Sequence, residues 1–428
     1  MLIMKAIGID IGTTSICAVL LNLESGEVER SVTKNSDAFI ESENPWEKIQ
    51  SVEKIITLAS EITDSFITDD VSVIGVTGQM HGIVYTDKNG CAVSPLYTWQ
   101  DERGNLPYKD TTYAEFLNSH AGYGNVTDFY NKENGIKPGN AVSHTTIHDY
   151  FVMRLTGRKK ALMHTSDAAS FGLFDIEKNR FDYDIDIDVT SDFAIAGSYR
   201  DIPVAVAIGD NQASVFSSIG YDDILINIGT GSQVSVISDK AVTGGGVEAR
   251  PYFDGKFLLV GAALCGGRAY SVLKSFFSEV LSYKCRVSED EVYSLMDEML
   301  KKSVPTSLKA DTRFAGTRDD SSVRGSITGI DTVNFTPSAL TYAVLEGMID
   351  ELYNMYLNMD KKACSVVGSG NGIRKNPHLV KIAEKKFASD MKIPSHKEEA
   401  AVGAALFASV ANGIFKNAKE AQRLIRYN

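Results

Sequence analysis

Two stretches of this chain have the residue types and spacing to hold phosphate. Near the start, "KAIGIDIGTTSICAVLL" sets Asp10, Gly12, Thr13 and Thr14 into a β-branched run that would otherwise read as one buried strand. Halfway along, "ILINIGTGSQVSVIS" repeats the pattern. Ile9, Ile11, Gly12, Thr13, Ser15 and Val19 fall on Ile226, Ile228, Gly229, Thr230, Ser232 and Val236 at a constant offset of 217 residues. Each copy predicts strand, tight Gly/Thr turn, strand, because β-branched residues flank a glycine able to take positive φ. Backbone N–H groups at such a turn converge on one concavity and threonine hydroxyls add donors, so the turn can cradle phosphate without a lysine. Two chance hairpins are the plain alternative, and the length of the match argues against them.

Three further stretches gather groups suited to a polar, uncharged ligand. "VTGQMHGIVYTD" puts Gln79 and His81 on a glycine-flanked loop after a strand, in reach of hydroxyls or a carbonyl. The plainer reading of a lone histidine is structural. "SPLYTWQDERG" supplies Trp99, Gln100, Asp101 and Arg103, an aromatic plate beside hydrogen-bonding groups, against the alternative of a surface loop with an ion pair. In "VAVAIGDNQASVFSSIG" a run of small and β-branched residues ends at Asp210 and Asn211, a carboxylate at a strand end that also suits the N-cap of a following helix. Two metal-like patterns are incomplete. "FDYDIDIDVTSD" has no glycine after its third aspartate, and Phe193 stands where an EF-hand needs glutamate, so it reads as a solvated acidic segment. "HTTIH" spaces His144 and His148 one helical turn apart without the glutamate of H-E-x-x-H or a third ligand nearby, so zinc is not expected.

The elements that would position these groups alternate between strand and helix. Ile49, Val52, Ile55, Ile56, Ala59 and Ile62 recur at helical spacing, and "VSVIGVTGQM" then reads as a buried strand running into a loop. In the second half Ser288 and Glu291 form a capping-box start, residues 337 to 362 read as helix, "ACSVVGSGNG" as strand into glycine loop, and "EEAAVGAALFASVANG" as a closing small-residue helix. The pattern is α/β in both halves, with domains expected at 1–222 and 223–428. No Walker A sequence occurs, and "GSGNGIRK" lacks the last glycine of G-x-G-x-x-G. The 43 basic against 55 acidic residues, with no basic cluster, argue against nucleic acid. Five scattered cysteines (Cys17, Cys91, Cys265, Cys285, Cys364) without a C-x-x-C pair predict buried thiols in a reducing, cytoplasmic setting. Neither a signal-peptide core nor an apolar run of membrane-span length is read from the sequence.

A duplicated α/β chain with D-x-G-T-T first and G-T-G second resembles the actin, Hsp70 and sugar kinase superfamily, whose ribonuclease H-like domains face each other across a cleft. The motifs "TGQMHG", "SPLYTWQDERG", "TTIHDYFVMRLTG", "DAASFGLFD" and "IPVAVAIGDNQAS" narrow the resemblance to the FGGY family of carbohydrate kinases, over essentially the whole chain. That resemblance implies ATP-dependent phosphorylation of a ketose, sedoheptulose first and xylulose or another polyol as the alternative. It makes Asp210 the general base, and it gives Mg²⁺ to Asp10 and Asp210, largely through water. Thr13 and Thr14, with Gly12, would meet the γ-phosphate side, and Gly229, Thr230 and Gly231 the β/γ region. Gly267, Gly370 and Asn376 would frame adenosine, and Gln79, His81, Trp99, Asp101, Arg103 and Asn211 the sugar. A small-molecule sugar is the expected partner, and a homodimer is compatible with the pattern. Thr317 stands where many relatives carry glutamate in "G-E-R", so no role is carried onto it. An actin- or Hsp70-like ATPase and a non-catalytic sugar sensor are the readings from other classes. The polar loops at 77–82 and 94–104 oppose the first, and the intact Asp10, Asp210 and both turns oppose the second.

Overall fold

The computed structural model describes residues 4–284, 286–303, 305–318, 320 and 322–428. It divides into two units. The first is the chain up to Ser218 with Arg250–Lys256 and His396–Arg426, and the second is Ile219–Ala249, Phe257–Ser395 and Tyr427–Asn428. The expected division at 222/223 therefore lies within a few residues of the first crossing, but the chain returns. Small residues explain the return. The helix Glu399–Ala411 belongs to the first unit and packs so closely on its sheet that a Cβ at Gly8 would lie 1.9 Å from the Ala401 carbonyl oxygen, and one at Gly75 2.0 Å from that of Ala404.

In the first unit the strand Lys5–Ile11 runs antiparallel to Ser15–Asn22 and parallel to Val71–Gly78, with Val28–Asn35 antiparallel at the edge. The second unit repeats this plan. Asp223–Ile228 is antiparallel to Ser232–Ser238 and parallel to Ser365–Ser369, and Phe257–Ala263 takes the third antiparallel place. The internal repeat is thus a repeat of topology, with one slip. Ile11 pairs with Ile16, whereas Ile228 pairs with Ser232, so the second turn is one residue shorter than the constant sequence offset implies.

The central strands of both sheets are almost wholly buried and rich in Ile, Val and Leu, as strands covered by helices must be, whereas the edge strand Val28–Asn35 is polar and exposed. The helix Val52–Phe66 begins later than its apolar spacing suggests, because Ser51 caps it and leaves Ile49 in a short strand. The capping box at Ser288 and Glu291 is formed, and Pro337–Leu357 is helical. Among the described residues no helix is long and apolar enough to cross a membrane. The thiol expectation is partly corrected: Cys265 is buried and Cys17 partly so, but Cys91 and Cys364 are exposed, and Cys285 lies outside the described residues.

Candidate active site

The first unit assembles its chemistry where three parallel strands end together. Asp10 lies opposite Thr77 in the register of Lys5–Ile11 on Val71–Gly78, and Ile208 and Gly209 pair with Thr77 and Gly78 from the other side. Asp210 then opens the helix Asp210–Phe216. Ligand sites in α/β sheets gather at such carboxyl ends. Burial raises the pKa of Asp10 to about 7, the charge of Asp210 adds to the rise, and His148 opposes it. Asp210 is also held above the ordinary carboxylate range, by burial first, with His148 and Arg250 pulling the other way. Two carboxylates, both costly to ionise and one made more so by the charge of the other, are a donor set that a hard divalent cation fits. Arg250, which donates to Asn211 Oδ1 at 3.2 Å, escaped the sequence reading because no local motif marks it.

A hydrogen-bond relay joins the first turn to the proposed sugar loops. Gln79 Nε2 donates to Gln50 Oε1 at 2.9 Å, Gln50 Nε2 to the Thr13 carbonyl at 2.6 Å, and Trp99 Nε1 to Thr13 Oγ1 at 3.0 Å. Gln79 is buried, and its Oε1 has no protein partner, the kind of orphaned acceptor that a ligand hydroxyl satisfies. Trp99 is 47% exposed, so its ring face is open beside the turn. His81 holds φ at 72°, stacks on Tyr123 with ring centroids 4.4 Å apart, and places Nδ1 2.8 Å from the Ser170 carbonyl. A carbonyl only accepts, so Nδ1 carries the proton. Left-handed backbone at a non-glycine residue stores strain, and strain of this kind collects at functional loops.

Two of the expected sugar contacts are scaffold instead. Asp101 is 1% exposed; its Oδ1 accepts from Arg103 N and Nε, and its Oδ2 from Lys48 N and Arg103 Nη2, at 2.7–3.1 Å. Those four bonds use the carboxylate's acceptor capacity. Arg103 is fully buried, with further bonds to Glu47 at 3.0 Å and to Asn131, and its guanidinium lies over the Tyr97 ring. The pair shapes the loop that carries Trp99, with the Asp101 carboxylate fully engaged and both side chains buried away from any ligand.

"HTTIH" also resolves differently from its spacing. Thr146 caps the helix Ile147–Thr156, so His144 belongs to a strand and only His148 to the helix. His148 Nε2 meets Asp167 Oδ1 at 3.0 Å, and with Asp149 these form a fully buried cluster whose ligand atoms lie within 4.8 Å of one another. The third group that sequence proximity did not supply is therefore Asp167. Burial works against charge on His148, but Asp167 outweighs it and raises the pKa to about 9. The ring rests on Gly78, where a Cβ would come 3.1 Å from Nδ1, directly behind the strand ends that bear Asp10 and Asp210.

In the second unit the turn at Gly229–Gly231 is braced by backbone. Gly267 N donates to the Gly229 carbonyl at 2.8 Å, and Gly266 N and Arg268 N both donate to that of Thr230 at 3.0 Å. A Cβ at Gly266 would meet the Gly231 carbonyl oxygen at 2.3 Å, so the close approach requires glycine. A cavity of about 380 Å³ borders this turn and is edged by Asn227, Gln233 and Arg318. Gly370, at φ 81°, packs on the Ile228 carbonyl, and the Asn376 Oδ1 caps the helix Pro377–Phe387, leaving only Nδ2 for a ligand. A larger cavity of about 680 Å³ lies in the same unit and reaches Thr317 and Glu351. Thr317 is a turn former, its Oγ1 accepting from Asp320 N at 3.0 Å.

Residues 5–111 match the model of the FGGY family of carbohydrate kinases, N-terminal domain, and 224–412 that of the C-terminal domain. The chain is 31% identical to the sedoheptulokinase of Mus musculus, over 94% of this chain and 96% of that one. It is 25% identical to the xylulose kinase of Lactococcus lactis, over 96% and 88% respectively. The xylulose kinase of Lactobacillus acidophilus superposes with a TM-score of 0.83 at 18% identity, covering 99% of this chain and 92% of that structure.

Proposed function

Since the chain belongs to the FGGY family of carbohydrate kinases, and so is a sugar kinase, we propose that it phosphorylates a ketose, sedoheptulose first, on the terminal primary hydroxyl with ATP as donor. The observation that carries the reading is the pair of carboxylates, Asp10 and Asp210, at the ends of the two strands that flank Val71–Gly78, with the orphaned Gln79 acceptor just past the end of that middle strand. Asp210 accepts the proton of the attacking hydroxyl. Gln79, His81 and Asn211 orient the sugar, and Trp99 offers its apolar face a plate. Thr13 and Thr14 meet the γ-phosphate side from the first turn. Gly229, Thr230 and Gly231 receive the β/γ region, and Gly267, Gly370 and the Asn376 amide nitrogen frame adenosine. Mg²⁺ held by Asp10 and Asp210, largely through water, would neutralise charge on the transferred group, which is most of what phosphoryl transfer asks of a protein. The reading includes a cytoplasmic setting and is compatible with a homodimer.

A panel of ketoses and polyols with coupled ADP detection tests the substrate. Sedoheptulose should give the highest kcat/KM, and a clear preference for xylulose, favoured by the xylulose kinase similarity, would replace it. Asp210→Asn keeps the shape but cannot take the proton, and should cost on the order of 10² to 10⁴ in kcat. Near wild-type turnover in that variant would remove the base assignment.

A further inference from the structure

The short helix Thr165–Ser170 touches both halves of the proposed chemistry. At one end Ser166 Oγ accepts from Gly209 N at 3.0 Å, inside the core and one residue before Asp210. At the other, Ser170 Oγ accepts from His81 N at 3.1 Å, and the Ser170 carbonyl accepts from His81 Nδ1 at 2.8 Å. The strand that delivers Asp210 is only two residues long, Ile208–Gly209, and pairs with one neighbour. So short a strand cannot fix a side chain through its ladder alone. Its other clamp is Thr77 Oγ1, which donates to the Ile208 carbonyl at 2.6 Å. Thr77 and Ser166 are both buried, and Ser166 is itself held by His164, whose Nδ1 lies 2.9 Å from its Oγ. The His148–Asp167 contact at 3.0 Å ties the same helix to Ile147–Thr156.

We propose that Ser166 and Thr77 are positioning residues for the base, and that the helix Thr165–Ser170 sets the distance between the carboxylate of Asp210 and the sugar loop at His81. The inference rests on the base reading above. Each hydroxyl meets a backbone group of Ile208 or Gly209, so its loss lets the carboxylate drift while the loops that hold sugar and nucleotide keep their own supports. A shift of about an ångström at reacting atoms can cost up to 10²-fold in rate.

Ser166→Ala, Thr77→Val and Thr77→Ser would be compared with wild type and with Asp210→Asn for kcat, for KM of ketose and of ATP, and for Tm. Ser166→Ala and Thr77→Val should each lower kcat about tenfold with both KM values within twofold, and Thr77→Ser, which keeps the hydroxyl, should restore most of it. Should Ser166→Ala fail to fold, the Thr77 pair carries the test. A kcat within twofold of wild type in the folded variants, with Asp210→Asn inactive, overturns the positioning role and leaves the base in place. Parallel losses of kcat, both KM values and Tm that Thr77→Ser does not reverse overturn it as well. Retained turnover in Asp210→Asn overturns the base reading and the inference together.

Discussion

The two Gly/Thr turns sit on the same topology yet are held in different ways. The first keeps a carboxylate, Asp10, where the second has the neutral Asn227, whose Nδ2 donates to Ser369 Oγ at 2.6 Å. The first is tied down by side chains, Gln50 and Trp99, that lead to the proposed sugar loops. The second is tied down by the backbone of residues 266–268, at the start of the helix Gly267–Ser282. The same turn topology therefore occurs twice, with a charge and a side-chain connection to the proposed sugar loops in one copy and a neutral, backbone-braced platform in the other. The charge has a supporting cluster, His148 with Asp167 and Asp149, behind the first turn.

The sharpest way to break this contrast is to exchange the defining residues. Asp10→Asn makes the first turn electrostatically like the second. It should lower kcat by on the order of 10², with more Mg²⁺ needed for half-activation, because charge facing the transferred group is a large term in transfer. The reciprocal Asn227→Asp should change kcat by well under about tenfold. Comparable losses from both exchanges would mean that the two turns do equivalent work.

A smaller effect concerns the cluster behind the first turn. The pKa of His148 is raised from 6.5 to about 9, so the folded protein holds that proton longer than the unfolded chain. Its contribution to stability is full below about pH 6.5 and is lost as pH climbs through about 9. Asp10 and Asp149, raised to about 7 and about 8 with burial as the first cause, act in the same direction at lower pH, because ionising them costs the folded state more than the unfolded one. Thermal unfolding should show Tm falling by about several degrees from pH 6.5 to 9, and His148→Gln should reduce the part above pH 8, where the imidazole titrates alongside the upper end of the Asp149 transition. A slope unchanged in His148→Gln would show that the buried contact is not an ion pair.

These contrasts also mark how far the residues spoke for themselves. Both turns, the strand before Gln79 and the strand end at Asp210 were legible because local chemistry sets them: β-branched runs, glycines and hydroxyls close in sequence. The FGGY motifs supplied the roles. What local pattern could not supply was partnership across the chain. Asp167 meets His148 from a different helix, Arg250 reaches Asn211 from a segment that returns to the first unit, and the cap at Thr146 separates two histidines that spacing alone would place on one helix face. Asp101 and Arg103 looked like ligands because charged residues beside a tryptophan suit a sugar; only their burial and four mutual or backbone bonds reveal an internal brace.

The smallest expected effect tests the link that makes the first turn distinctive. Trp99→Phe keeps an aromatic plate for the sugar but removes the Nε1–H that donates to Thr13 Oγ1 at 3.0 Å. The bond is partly exposed, so its loss should cost about 0.5 to 1.5 kcal/mol, or roughly two- to tenfold, in whichever step it supports. If the relay from the sugar loop to the turn matters, that cost falls on both substrates: the freed Thr13 hydroxyl no longer holds its orientation toward phosphate, and the loop loses its anchor beside the sugar. Each KM should rise two- to tenfold, and a matching change at the second turn, Ser369→Ala opposite Asn227, should move the KM for ATP alone. A Trp99→Phe variant in which neither KM moves would mean that the indole acts only as a plate, which phenylalanine keeps, and the first turn would then differ from the second by its charge and not by its connection.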